Sequence, residues 1–214
     1  MKFRRSIVIM LFCGLCLSAL SGCGAAKGWQ KGDKYPVATI ELTDGGKILV
    51  ELYPDKAPNT VNNFISLANK DYYVGKVFHR AVENMMIQGG SPKGDGLSTG
   101  FPYAIKGEFS ANGFHLNKDL LHEPGVISMA RISGNNDSGS CQFFIIHSTY
   151  PSLDGEYAAF GQVTEGMDIV DRIAKQPKTG PLNDQLIDQP MIKAVTVETF
   201  GVNYPEPETL PPVG

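Results

Sequence analysis

Phe78-His79-Arg80-Ala81-Val82-Glu83-Asn84-Met85-Met86-Ile87-Gln88-Gly89-Gly90 is the stretch from which the rest of the chain is read. One arginine stands among large apolar side chains. Val77 to Val82 and Met85 to Gly89 read as a pair of short strands. On the N-terminal side, Val37 to Thr43 and Lys47 to Leu52 flank Asp44-Gly45-Gly46. Glycine tolerates positive φ, so this is a hairpin signal. On the C-terminal side, Gly125 to Ala130, Gln142 to His147, Tyr157 to Val163 and Met191 to Phe200 bring the expected total to about eight strands. Two segments depart from strand periodicity. In Pro58 to Lys70, Val61, Phe64, Ile65 and Ala68 recur at helical spacing, and in Thr164 to Lys175, Met167, Val170, Ile173 and Ala174 do the same. The pattern predicts a mainly β domain, a closed or nearly closed antiparallel barrel capped by two α-helices.

The chain has 214 residues, a formal net charge of −3 and 42% hydrophobic residues. That suits one globular domain with short tails. The charge balance argues against a nucleic-acid-binding function, and the hydrophobic content against general disorder. Four cysteines do not make a disulfide scaffold. His79, His115, His122 and His147 stand apart from cysteines and from one another, so no metal-ligand spacing is found.

The N-terminus reads as a targeting segment rather than as fold. Met1-Lys2-Phe3-Arg4-Arg5 is basic, and the apolar run that follows to Ser21 is short for a membrane span. Leu20-Ser21-Gly22-Cys23 resembles the bacterial lipobox, which implies cleavage before Cys23 and a diacylglyceryl group on its sulfur. Residues 1–22 are then a lipoprotein signal peptide, and residues 23–35 a lipidated cysteine with a flexible Gly/Lys-containing tether. The folded domain is expected over residues 36–203, and residues 204–214 form a loose Pro-rich tail. Removal of the signal leaves Cys141 as the one free thiol, read as structural. The expected location is extracytoplasmic, on the outer face of the cell membrane or on an outer membrane, held by lipid on Cys23.

Two familiar chemistries are not supported. Gly89 to Gly100 is glycine-rich but lacks the Gly-Lys-Ser/Thr ending of a phosphate-binding loop, and no helix pattern follows it. No Gly-x-Ser-x-Gly element occurs.

Phe78-His79-Arg80 followed by Met86-Ile87-Gln88-Gly89-Gly90 resembles the core signature of the cyclophilin-type peptidyl-prolyl isomerases. Further segments match in order: Ala57 to Phe64, Gly107-Glu108-Phe109, Gly125 to Arg131, Ser140 to Ile145 and Leu153 to Gly161. The resemblance spans about residues 37–200. It implies an eight-stranded closed antiparallel β-barrel with two helices, rotation of X-Pro bonds in proline-containing polypeptides, and no cofactor.

The resemblance also implies roles. Arg80 falls on the family's catalytic arginine, and Gln88 on the glutamine that orients it and binds substrate backbone. Met86, Phe144 and Leu153 fall on the proline slot. Met85 stands where many relatives carry Phe. Ala130 and Arg131 fall on the groove strand, where relatives often have Asn at the second position. Tyr157 stands where well-known eukaryotic members have His, and Ser152 where they have the Trp that contacts cyclosporin, so weakened cyclosporin binding is expected. Alternation sends Phe143 to the core and His79 to the face opposite Arg80, where a hydrogen-bonded structural role is expected. Two rival readings are a proline-peptide-binding lipoprotein or chaperone without turnover, and a hollow barrel holding a small apolar ligand. Intact Arg80, Met86, Gln88 and Phe144 favour the enzyme over the first. The many large apolar side chains argue for a filled interior against the second.

Overall fold

Asp44, Gly45 and Gly46 turn the chain between β1 (Val37–Leu42) and β2 (Lys47–Leu52), with Gly45 at φ 90° and the Leu42 N–H donating to the Gly46 carbonyl at 2.8 Å. The computed structural model describes residues 28–97, 100–115, 118–180, 182 and 184–213. The proposed signal peptide, Cys23 and the first tether residues lie outside the described residues. After the hairpin come α1 (Pro58–Asn69), β3 (Phe78–Val82), β4 (Met86–Gly89), β5 (Val126–Met129), β6 (Phe143–Ile146), β7 (Ala158–Glu165), α2 (Met167–Ala174), β8 (Lys178–Thr179), β9 (Gln185–Leu186) and β10 (Ile192–Glu198). Among the described residues no helix is long and apolar enough to cross a membrane.

The expected closed eight-stranded barrel does not form. Ten strands among the described residues make one antiparallel sheet in the order β10-β1-β2-β7-β5-β6-β4-β3-β9-β8, and its two ends do not pair as strands. The reason lies at the outer edge of β3. That edge is taken by β9 at Arg80–Gln185, so β10 cannot run along it. The two sides meet at an isolated bridge between Val77 and Met191, and the Gly75 N–H donates to the Ile192 carbonyl at 2.9 Å beside it. Pro190, which has no N–H to give, accepts there from the Phe78 N–H at 2.9 Å. The two strands beyond the expected eight, β8 and β9, have two residues each, too few to show a period. The second helix starts three residues later than expected because β7 runs on to Glu165. Gly166 then takes φ 92°, and a Cβ there would collide with the Lys47 carbonyl oxygen.

The sheet buries both of its faces. One packs on α1 around Phe64, whose ring meets Tyr73 at 5.1 Å, Phe160 at 5.5 Å and Phe143 at 5.7 Å between centroids. Phe143 is in the core, as alternation predicts. The other face carries a smaller cluster of Met86, Leu120, Val126, Phe144, Ile146 and Leu153.

Several segments outside the core are fixed by polar contacts. Pro58 begins α1, where a missing N–H costs nothing. Ala57 supplies no side-chain cap; the buried Glu108 carboxylate does so from a distance. It accepts the Asn59 N–H at 3.1 Å, the Thr60 N–H at 2.7 Å and the Thr60 hydroxyl at 2.7 Å. The Pro-rich end is not loose. It lies along α1: Glu206 accepts from Ser66 and Lys70, the Glu208 N–H donates to Asn59, and Leu210 exchanges two backbone bonds with Ala104. The described part of the expected tether also packs on the domain, with Gly28 bridged to Asn203 and Tyr35, on which Trp29 stacks, meeting Tyr53 edge-on at 4.9 Å.

Glu108→Ala strips an acceptor from three buried or half-buried donors of α1. It is expected to cost about 3 kcal/mol, read as a lower urea midpoint, because charge-assisted bonds contribute roughly 1.5–3 kcal/mol and orphaned donors add to the loss.

Candidate active site

An extra residue in β3 creates the site. Phe78 pairs with Gly89 and Arg80 with Gln88, so His79 has no partner position in β4 and forms a β-bulge. Without it, Phe78 and Arg80 would point the same way. With it, Phe78 enters the main core and Arg80 emerges on the opposite face. Register then aligns Arg80, Gln88, Phe144 and Ser128 in a row across β3, β4, β6 and β5. One row along, Val82, Met86 and Ile146 follow.

The result is an open cleft of about 180 Å³ lined by Arg80, Met85, Met86, Gln88, Ala130, Arg131, Phe144, Leu153 and Tyr157. Every residue that the sequence singled out for catalysis or substrate binding meets there. Its floor is apolar. The Phe144 ring meets Tyr157 edge-on at 5.5 Å and stacks on His122 at 6.0 Å. Ser152 is exposed on the short 3₁₀ turn Pro151–Leu153, next in the chain to Leu153 of the cleft.

Polar groups line one wall. Arg80 Nε donates to Asp184 at 2.6 Å, and Nη1 donates to Gln88 Oε1 at 3.2 Å. Gln88 Nε2 donates to Gln142 Oε1 at 2.9 Å, and Gln142 Nε2 to the Gly96 carbonyl at 3.0 Å. The second arginine is held differently. The Arg131 guanidinium lies 4.7 Å from the Tyr157 ring centre and 5.4 Å from that of Phe109. It donates to the Glu156 backbone carbonyl at 3.0 Å and carboxylate at 3.3 Å. Stacking on two rings suits a planar cation.

Beneath Phe144 lie a buried serine and histidine joined to a half-buried aspartate. His122 Nδ1 is 2.9 Å from Asp154 Oδ1, and Nε2 is 3.1 Å from Ser128 Oγ. The carboxylate only accepts, so Nδ1 carries the proton and Nε2 accepts from the serine. Burial lowers the His122 pKa against the opposing pull of Asp154. The spacing is that of a hydrolase triad, but Ser128 is 0% exposed and no substrate reaches it. Its work is to fix the imidazole that backs Phe144. Among the described residues no three His, Cys, Asp or Glu side chains group to hold a metal ion.

His79 departs from expectation. It is 3% exposed, and the Val77 backbone is its one polar neighbour, too poorly placed for either ring nitrogen to make a full hydrogen bond. Burial, and then the Arg80 charge, lower its pKa from 6.5 to about 4. Sequence reasoning also missed Asp184 and the His122–Asp154 pair. Asp184 is 104 positions from Arg80, in a polar stretch with no periodicity. The one available signal for Asp154 was its place in the Leu153-Asp154-Gly155 segment.

Comparison with known proteins accounts for this arrangement. The profile of the family described as "Cyclophilin type peptidyl-prolyl cis-trans isomerase/CLD" matches residues 37–202. The chain belongs to the cyclophilin-type peptidyl-prolyl cis-trans isomerases. This cyclophilin is 45% identical over 128 residues to peptidyl-prolyl cis-trans isomerase B of Bacillus subtilis, covering 59% of this chain and 82% of that protein. It is 40% identical over 139 residues to the isomerase ppi1 of Schizosaccharomyces pombe, covering 64% and 85%. A crystal structure of a Cryptosporidium parvum cyclophilin type isomerase in the presence of the dipeptide Ala-Pro superposes with TM-score 0.65 at 26% identity, covering 76% of this cyclophilin and 98% of that chain.

The low His79 pKa sets the sign of a pH effect. Folding favours the neutral ring, so stability is full above pH 6.5 and falls as the pH drops towards 4. Between pH 7 and pH 5 His79 alone is expected to remove about 2 kcal/mol, with His122 adding in the same direction. Urea unfolding at the two pH values measures this, and His79→Leu should flatten the dependence.

Proposed function

We propose that this cyclophilin turns over X-Pro bonds outside the cytoplasm, with Arg80 stabilising the twisted imide. The observation that carries the reading is the convergence of the Arg80 guanidinium, the Gln88 amide and the Phe144–Met86 floor on one cleft.

An X-Pro bond prefers trans by only ~0.5–1 kcal/mol, yet isomerises over tens to hundreds of seconds. Rotation destroys amide resonance, and that loss makes the barrier. In the twisted form the imide nitrogen recovers its lone pair. A donor aimed at that nitrogen binds the twisted form more tightly than either planar one, which lowers the barrier without a covalent step or a base. Arg80 is permanently charged, and among the described residues its Nη2 group makes no hydrogen bond within the protein. Met86, Phe144 and Leu153 receive the proline ring, and Gln88 and the Ala130 strand receive the peptide backbone. The Ala-Pro dipeptide in the Cryptosporidium parvum structure supports a proline-containing ligand. An acceleration of 10⁵-fold corresponds to about 7 kcal/mol, which one oriented charged donor plus fixed substrate geometry can supply.

Substrates are then polypeptides secreted from or displayed on the cell, met by an enzyme anchored through lipid on Cys23. Cyclosporin is expected to bind weakly, because Ser152 and Tyr157 stand where the family resemblance places a Trp and a His.

Arg80→Ala is expected to lower kcat/KM on an Ala-Pro peptide at least a hundredfold, in the range seen when one transition-state donor is removed, with little change in peptide affinity. Peptide binding by the parent protein without any rate increase would select the non-catalytic binder instead. For location, Cys23→Ser should move the protein from the membrane fraction to the soluble fraction with its turnover unchanged; retention on the membrane would remove the lipid anchor.

A further inference from the structure

Arg80 is gripped by a residue from outside the β3–β4 pair that carries it. Its Nε donates to Asp184 Oδ2 at 2.6 Å, the shortest polar contact the arginine makes. Asp184 is itself fixed, because its backbone carbonyl accepts the Ala81 N–H at 2.8 Å and the next residue, Gln185, pairs with Arg80 in the sheet. Gln88 holds Nη1 from the other side. The guanidinium is planar, so fixing Nε and Nη1 fixes the plane and the direction of Nη2.

We propose that Asp184 is a positioning residue for isomerisation, which clamps Arg80 so that Nη2 stays aimed into the cleft. The proposal rests on the reading of Arg80 as the transition-state donor. Two effects of the carboxylate oppose each other. It orients the guanidinium, and it also draws positive charge away from the reacting imide. The arginine side chain is 36% exposed, so water screens the second effect, while the first acts through geometry that screening does not weaken. Orientation therefore dominates. A long, unclamped arginine at the mouth of an open cleft would share its time among rotamers, and only some of them place a donor on the imide nitrogen.

The test compares Asp184→Ala with Asp184→Asn, which keeps an acceptor for Nε and loses the charge. With an Ala-Pro peptide, Asp184→Ala is expected to lower kcat about tenfold with KM within twofold, while Asp184→Asn stays within about threefold of the parent. In ¹⁵N-resolved spectra, the Arg80 Nε–H signal should be distinct and slow to exchange in the parent and in Asp184→Asn, and lost in Asp184→Ala. A parent without turnover overturns the isomerase reading and the clamp together. An active parent with an inactive Arg80→Ala, but an Asp184→Ala that runs at or above the parental rate, overturns the clamp alone. So does an equal loss in both Asp184 variants that follows their melting temperatures.

Discussion

One additional residue in β3 decides which way the arginine of the cleft faces. Had the strand paired with β4 without interruption, Arg80 would follow Phe78 into the aromatic core, where a lone guanidinium is prohibitively expensive to desolvate. The bulge reverses the alternation between these two positions. Its cost falls on His79, which is buried with no well-formed hydrogen bond to its ring nitrogens. Strain and unmet hydrogen bonds placed beside a reactive group are a common compromise in enzymes, and bulges are over-represented next to active sites.

Once Arg80 faces outward, the sheet does the rest. Gln88 and Phe144 lie opposite each other on neighbouring strands, so their side chains project to the same face as Arg80. The apolar floor draws its rigidity from a second core, smaller than the one under α1. The Ser128–His122–Asp154 set, buried at its serine and histidine, belongs to that support. It shows that spacing alone does not make a reactive serine: with Ser128 fully buried, the same atoms serve as a brace.

Much of this was legible in the residues. Alternation located the longer strands, and the helical spacing of Val61, Phe64, Ile65 and Ala68 located α1. The segments around Arg80, Arg131, Phe144 and Tyr157 named every side chain that lines the cleft. What stayed hidden has a common cause. A bulge, a two-residue strand and a distant cap leave no periodic trace. Nothing in Pro181 to Gln185 announces that Asp184 reaches back across the sheet, and nothing near Ala57 announces that Glu108 will cap α1. Whether the sheet closes was equally invisible, because it turns on which segment reaches the edge of β3 first.

The seam between Gly28 and Asn203 has a consequence for reach. If Cys23 carries lipid, only five residue steps separate the bilayer from chain that is already part of the body of the enzyme. At ~3.3–3.6 Å per step the slack is at most about 18 Å, less than the width of a small domain. Such an enzyme cannot roam. It would work as a fixture of the membrane surface, and a polypeptide emerging from the bilayer would meet it before any partner farther out.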